Sequence, residues 1–73
     1  MIISKEEFSR ELSKKIRSLR EETGLTLSEL SDGCGISAAA LGGYEKGRYM
    51  PSAYNLYLLT TYFNCSAEEL ILL

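Results

Sequence analysis

The sequence has no histidine and no tryptophan, a single proline, two cysteines, and no cation beyond Arg48. Each shortage closes off a class of function. Without histidine, the commonest general base and the commonest zinc ligand are both missing. A four-ligand zinc site would have to combine Cys34 and Cys65 with carboxylates. Nor is there a paired-carboxylate cleft, a glycine-rich phosphate loop or a nucleophile beside a base. The chain therefore reads as a non-enzyme with no metal, no cofactor and no small-molecule substrate. No run approaches the roughly 18 consecutive apolar residues of a membrane span. The opening MIISKEEFSR lacks the apolar segment of a secretory signal. Cys34 and Cys65 are expected to be small apolar fillers in a reducing compartment, and the expected location is the cytoplasm.

What is present suits one small soluble domain of 73 residues, 45% hydrophobic and 25% charged. Its formal charge of −2 argues against general affinity for nucleic acid, but the distribution matters more than the sum. Six of the eight cations fall within residues 5–20: Lys5, Arg10, Lys14, Lys15, Arg17 and Arg20. Lys46 and Arg48 complete the set. Past Arg48 the charged residues are Glu68 and Glu69, so the last third has the composition of a packing or pairing surface.

Three capping boxes punctuate the chain, at Ser4–Glu7, Thr26–Glu29 and Ser66–Glu69. After the first, Phe8, Leu12, Ile16 and Leu19 recur at helical spacing, and Thr23-Gly24 ends that helix. The second box opens a short helix holding Leu30, which the DGCG stretch is expected to break over residues 32–35. Ser37 then caps a third helix with Leu41 and Tyr44 inward and Gly47 closing it. Pro51 forces Met50 out of helical geometry. A fourth helix starts at Ser52, with Ala53, Leu56, Leu59 and Phe63 as its inward residues and Asn64 as its stop. The third box starts a fifth helix. No stretch alternates as a strand would, so the class is all-α.

Helices 2 and 3 are about two turns each, joined by a glycine-containing turn, which is the pattern of a helix-turn-helix. The run KKIRSLREETGLTLSELSDGCGISAAALGGYEKGRYMPS goes further, and resembles the phage-repressor and Cro type of helix-turn-helix, the XRE-like family. The residues carrying the likeness are Ile16, Leu19, Arg20, Gly24, Leu25, Thr26, Glu29, Leu30, Gly35, Ile36, Ser37, Leu41, Tyr44, Glu45, Gly47, Pro51 and Ser52. The tail extends it through Leu56, Leu59, Phe63, Ser66 and Leu70. It spans about residues 11–71 of a single domain 1–73, with 1–10 an N-terminal extension of helix 1.

The resemblance implies a five-helix bundle of the phage-repressor DNA-binding type, with helices 2 and 3 as the helix-turn-helix. It also implies that helix 3 enters the major groove of double-stranded DNA, often as a homodimer. Backbone anchors would fall on Thr26, Leu27, Ser37, Lys46 and Arg48, with Tyr49 beside them as either a phosphate donor or a wedge between helices. Arg20 and Glu45 match an ion pair that either lies beside the DNA backbone or only ties helix 1 to helix 3. The base-reading positions map to Ala38, Ala39, Gly42 and Gly43, where repressors commonly carry polar side chains. Alanine offers only a methyl for thymine and glycine only backbone.

Two readings follow from that departure. One is a repressor-like transcriptional regulator whose phosphate anchoring outweighs its base readout. The other is an interaction or dimerisation module that keeps the fold and has lost sequence-specific DNA binding. Tyr54, Leu58 and Tyr62 recur four apart on helix 4, and with Leu72 they are read either as a dimer surface or as ordinary core wrapping.

Overall fold

The computed structural model describes residues 3–71, with the side chain of Ile71 left aside. Within them lie five helices and no strand: α1 (Lys5–Glu22), α2 (Leu27–Cys34), α3 (Ala38–Glu45), α4 (Ala53–Phe63) and α5 (Ala67–Ile71). The caps fall where side-chain oxygens are available. Ser4, Thr26, Ser37 and Ser52 each accept from the backbone amide three residues on, at 3.1 Å. At α2 and α5 the box closes in both directions, with Glu29 and Glu69 accepting from the amides of Thr26 and Ser66. The expected left-handed stops are present at Gly47 (φ +72°) and Asn64 (φ +53°), and Gly35 (φ +83°) closes α2 in the same conformation.

The core is one cluster drawn from every helix: Leu12 and Ile16 of α1, Leu30 and Cys34 of α2, Leu41 and Tyr44 of α3, Leu59 of α4 and Leu70 of α5. Ile36, in the turn between α2 and α3, is buried with them. α1 packs on α3 and α5, α2 on α3 and α4, and α4 on α5. Tyr44 is buried whole, and its hydroxyl accepts from Asn55 Nδ2 at 2.8 Å, so the core keeps no unpartnered polar atom there. Both cysteines are free; Cys34 lies in the core and Cys65 packs against it. Burial pushes the Cys65 thiol pKa up, Glu69 adds to the rise, and Lys15 opposes it.

Three local expectations need correction. DGCG does not break α2 over residues 32–35, because the helix runs on through Asp32 and Gly33 to Cys34 and stops at Gly35. Of the two glycines only Gly33 lies inside the helix, at a cost of about 1 kcal/mol, and Leu30 and Cys34, four residues apart, are both buried in the core. The Tyr62 ring of α4 lies against Gly33, where an added Cβ would come within 2.5 Å of Cε1, so the glycine is a seat for a ring. Ala53, expected to face inward, is exposed. Leu58, placed in one stripe with Tyr54 and Tyr62, instead packs half-buried against the core. The outward face of α4 is carried by Tyr54 and Tyr57, whose rings stack 6.4 Å apart. Leu72 lies outside the described residues.

Candidate nucleic-acid interface

The α2–turn–α3 unit is clamped to α1 by one side chain. Arg20 donates through Nε and Nη2 to the two carboxylate oxygens of Glu45 at 2.7 and 2.9 Å, and through Nη1 to the Leu25 carbonyl at 2.8 Å. Both side chains are mostly buried, 16% and 7% exposed. The bidentate bond to Glu45 raises the guanidinium pKa further, against the opposing effect of burial. The pair thus fixes the α1–α2 turn and the end of α3 together, and it is in place as a structural tie.

Around that clamp, Thr26 and Ser37 are exposed at the N-termini of α2 and α3, where the first amides of each helix point outward. Lys46 and Arg48 are exposed in the loop after α3. Leu27 is half-buried and its Cδ1 reaches over Gly42, so of the Leu27 groups only the backbone amide has polar chemistry to offer. Glu29, hydrogen-bonded by the Thr26 amide and hydroxyl, is held below the ordinary carboxylate pKa.

The four positions expected to form the open face of α3 do not behave alike. Ala39 is exposed, Ala38 and Gly42 are half-buried, and Gly43 is buried. What covers Gly43 is the ring of Tyr49. A Cβ on Gly43 would collide with the ring carbons and hydroxyl of Tyr49, whose hydroxyl donates to the Ala39 carbonyl at 3.3 Å. The ring meets Tyr44 edge-on, with centroids 5.7 Å apart and planes at 88°. Gly43 is therefore not an open reader position; Tyr49 stands there instead, half-exposed at 51%.

A second feature escaped the sequence. The N-terminal half of α1 and the loop after α3 enclose an open groove of about 820 Å³ lined by Lys5, Arg10, Lys14, Arg17, Lys46 and Arg48, with Tyr49 and Met50 on its loop side. Glu6 and Glu45 also border it; Glu45 is engaged by Arg20, while Lys14 pairs with Glu11 at 3.7 Å and Arg17 with Glu21 at 3.2 Å along α1. Ser13 lies at its floor, close to Gly47. Cations separated by some thirty residues are thus brought to one groove by the packing of α1 against the loop. Among the described residues no group of histidine, cysteine or carboxylate side chains is arranged to hold a metal, and no helix is long and apolar enough to cross a membrane.

Comparison with known proteins agrees with this geometry. Residues 16–70 match the helix-turn-helix family HTH_3. The chain is 34% identical over 59 residues to the HTH-type transcriptional regulator SutR of Escherichia coli, covering 81% of this chain and 33% of that protein. It is 33% identical over 58 residues to an HTH-type transcriptional regulator of Archaeoglobus fulgidus, covering 80% and 83%. Among solved structures, an HTH_3 family transcriptional regulator from Vibrio cholerae superposes with a TM-score of 0.84 at 24% identity, over 92% of this chain and 38% of that one. The P22 c2 repressor, solved in complex with a synthetic operator, superposes with a TM-score of 0.77 at 24% identity, covering 84% and 92%. The chain spans only about a third of the E. coli relative and of the V. cholerae protein. By sequence match and by fold, the chain belongs to the helix-turn-helix family of the XRE, phage-repressor type.

Proposed function

We propose that this chain is the duplex-DNA-binding domain of a repressor-like transcriptional regulator, acting in the cytoplasm, with α3 in the major groove and its hold on phosphate stronger than its reading of bases. The observation that carries the proposal is the cationic groove: a chain of net charge −2 gathers six of its eight cations beside the helix-turn-helix. The exposed N-termini at Thr26 and Ser37 add amide donors and the positive ends of two helix dipoles on the same unit. Relatives named as transcriptional regulators, and a structural neighbour solved on an operator, support the same reading. Arg20 and Glu45 act in it as the frame that holds α3 against α1. We assign the domain no catalytic step.

The test is a two-dimensional amide NMR titration with short mixed-sequence duplexes at low salt. Shifts concentrated at Thr26, Ser37–Ala39 and Lys46–Tyr49, weakening as salt rises, are the expected result. Lys46→Ala and Arg48→Ala should each weaken binding to all sequences alike and flatten the log–log salt slope by about 1. An unchanged spectrum would sink the proposal.

A second reading, in which the domain pairs with another copy of itself, draws on a different observation. From Tyr49 to Ala67 the chain carries no charged residue, and Tyr54 and Tyr57 stand 67% and 61% exposed as a stacked pair. Two such faces can meet without desolvating a charge, which makes α4 the candidate homodimer surface. Tyr62, at 38% exposure, is mostly engaged with Gly33 and Phe63 and borders that surface.

A further inference from the structure

We propose that Tyr49, a loop residue, supplies the base-contacting surface that the side chains of α3 lack, and that it reads thymine methyl groups. The inference rests on the DNA-binding reading above. Its starting point is that Gly43 and Tyr49 form one unit: the ring fills the volume that any side chain at 43 would take. The ring is held in place from two directions, by its hydroxyl on the Ala39 carbonyl and by the edge-on contact with buried Tyr44. The Ala39 carbonyl is the one that the Gly43 amide faces within the helix, so both contacts hold the hydroxyl end of the ring at a single point on α3. Half of it remains exposed.

A helix that enters the major groove here brings a half-exposed aromatic ring beside Ala39. Such a ring has no fixed donor-acceptor pattern for purine edges, but its apolar face suits the C5-methyl of thymine. The hydroxyl bond at 3.3 Å is long and solvent-accessible, so the hydroxyl can exchange to a phosphate or base acceptor without breaking a buried interaction. Tyr49 also lines the cationic groove. One residue therefore joins the candidate phosphate track to the candidate reading surface.

The experiment is selection from a randomised duplex pool at low salt with the wild type, Tyr49→Phe and Tyr49→Ala, each checked for an intact amide spectrum. The enriched duplex is then remade with each thymine replaced by uracil. The wild type and Tyr49→Phe should enrich a thymine-containing motif, and removing a contacted methyl should weaken them about fourfold. Tyr49→Ala should lose both the motif and the sensitivity to uracil. Gly43→Ala, which keeps the tyrosine but evicts its ring, should behave like Tyr49→Ala. If Tyr49→Ala enriches the same motif with the same thymine dependence, the inference is overturned while DNA reading stands. Wild-type binding with no preferred sequence also overturns it and leaves duplex binding standing, whereas no binding by any form overturns both.

Discussion

At Gly42 an added Cβ would meet only Leu27 Cδ1, at 3.6 Å, an ordinary contact. At its neighbour Gly43 the same atom would collide with the Tyr49 ring. Adjacent glycines in one helix thus have opposite constraints. Gly42→Ala should stabilise the fold by about 0.5–1 kcal/mol, because alanine loses less backbone entropy in a helix interior. Gly43→Ala gains the same propensity but displaces a packed ring, and overpacking of this kind costs about 1–3 kcal/mol. It should be at or below wild-type stability. Urea denaturation of the two variants checks the pair, and equal midpoints would show that the ring yields freely. The sequence marks both glycines as unusual in a helix but cannot tell them apart, because the discriminating residue lies six positions away across a loop.

For the elements, what holds each helix is local and what orients them is not. The caps, the left-handed stops and the inward stripe of α1 were legible because each is encoded within four or five residues. The continuation of α2 through Gly33 was not, since what favours it is the burial of Cys34 in a core assembled from all five helices. The Arg20–Glu45 tie was legible only through family resemblance; periodicity in α1 or α3 alone does not pair residues 25 apart. Glu45→Ala should cost about 3 kcal/mol, since it leaves a mostly buried guanidinium without its partner. Joint replacement by Arg20→Met and Glu45→Leu should cost much less in the same denaturation assay. The α2 cap also gives a pH signature. The folded-state pKa of Glu29 is depressed, chiefly by the Thr26 amide. Its contribution is therefore present above the unfolded carboxylate pKa and is lost as pH falls through the folded value. The stability advantage of wild type over Glu29→Gln should shrink over that acidic interval, followed by thermal melts at successive pH values.

At the scale of the molecule, one core joins all five helices, and two faces outside it have contrasting character. If the α4 face joins two copies, Tyr57→Lys should weaken self-association at least about tenfold, because it buries an unpaired charge in an otherwise neutral contact. Sedimentation equilibrium reads this directly, and a wild-type protein that stays monomeric at high concentration removes the surface from consideration. The other face gathers cations from the two ends of residues 5–48 into one groove, opposite in chemistry to the uncharged stretch from Tyr49 to Ala67. A body of net charge −2 that carries most of its cations around one groove is electrostatically uneven. Near a polyanion it experiences a torque as well as a weak net repulsion, and the torque turns the groove forward before contact. Encounters should then be productive over a wider range of starting orientations than a −2 charge suggests, and the gain should vanish as added salt shortens the Debye length below the size of the domain.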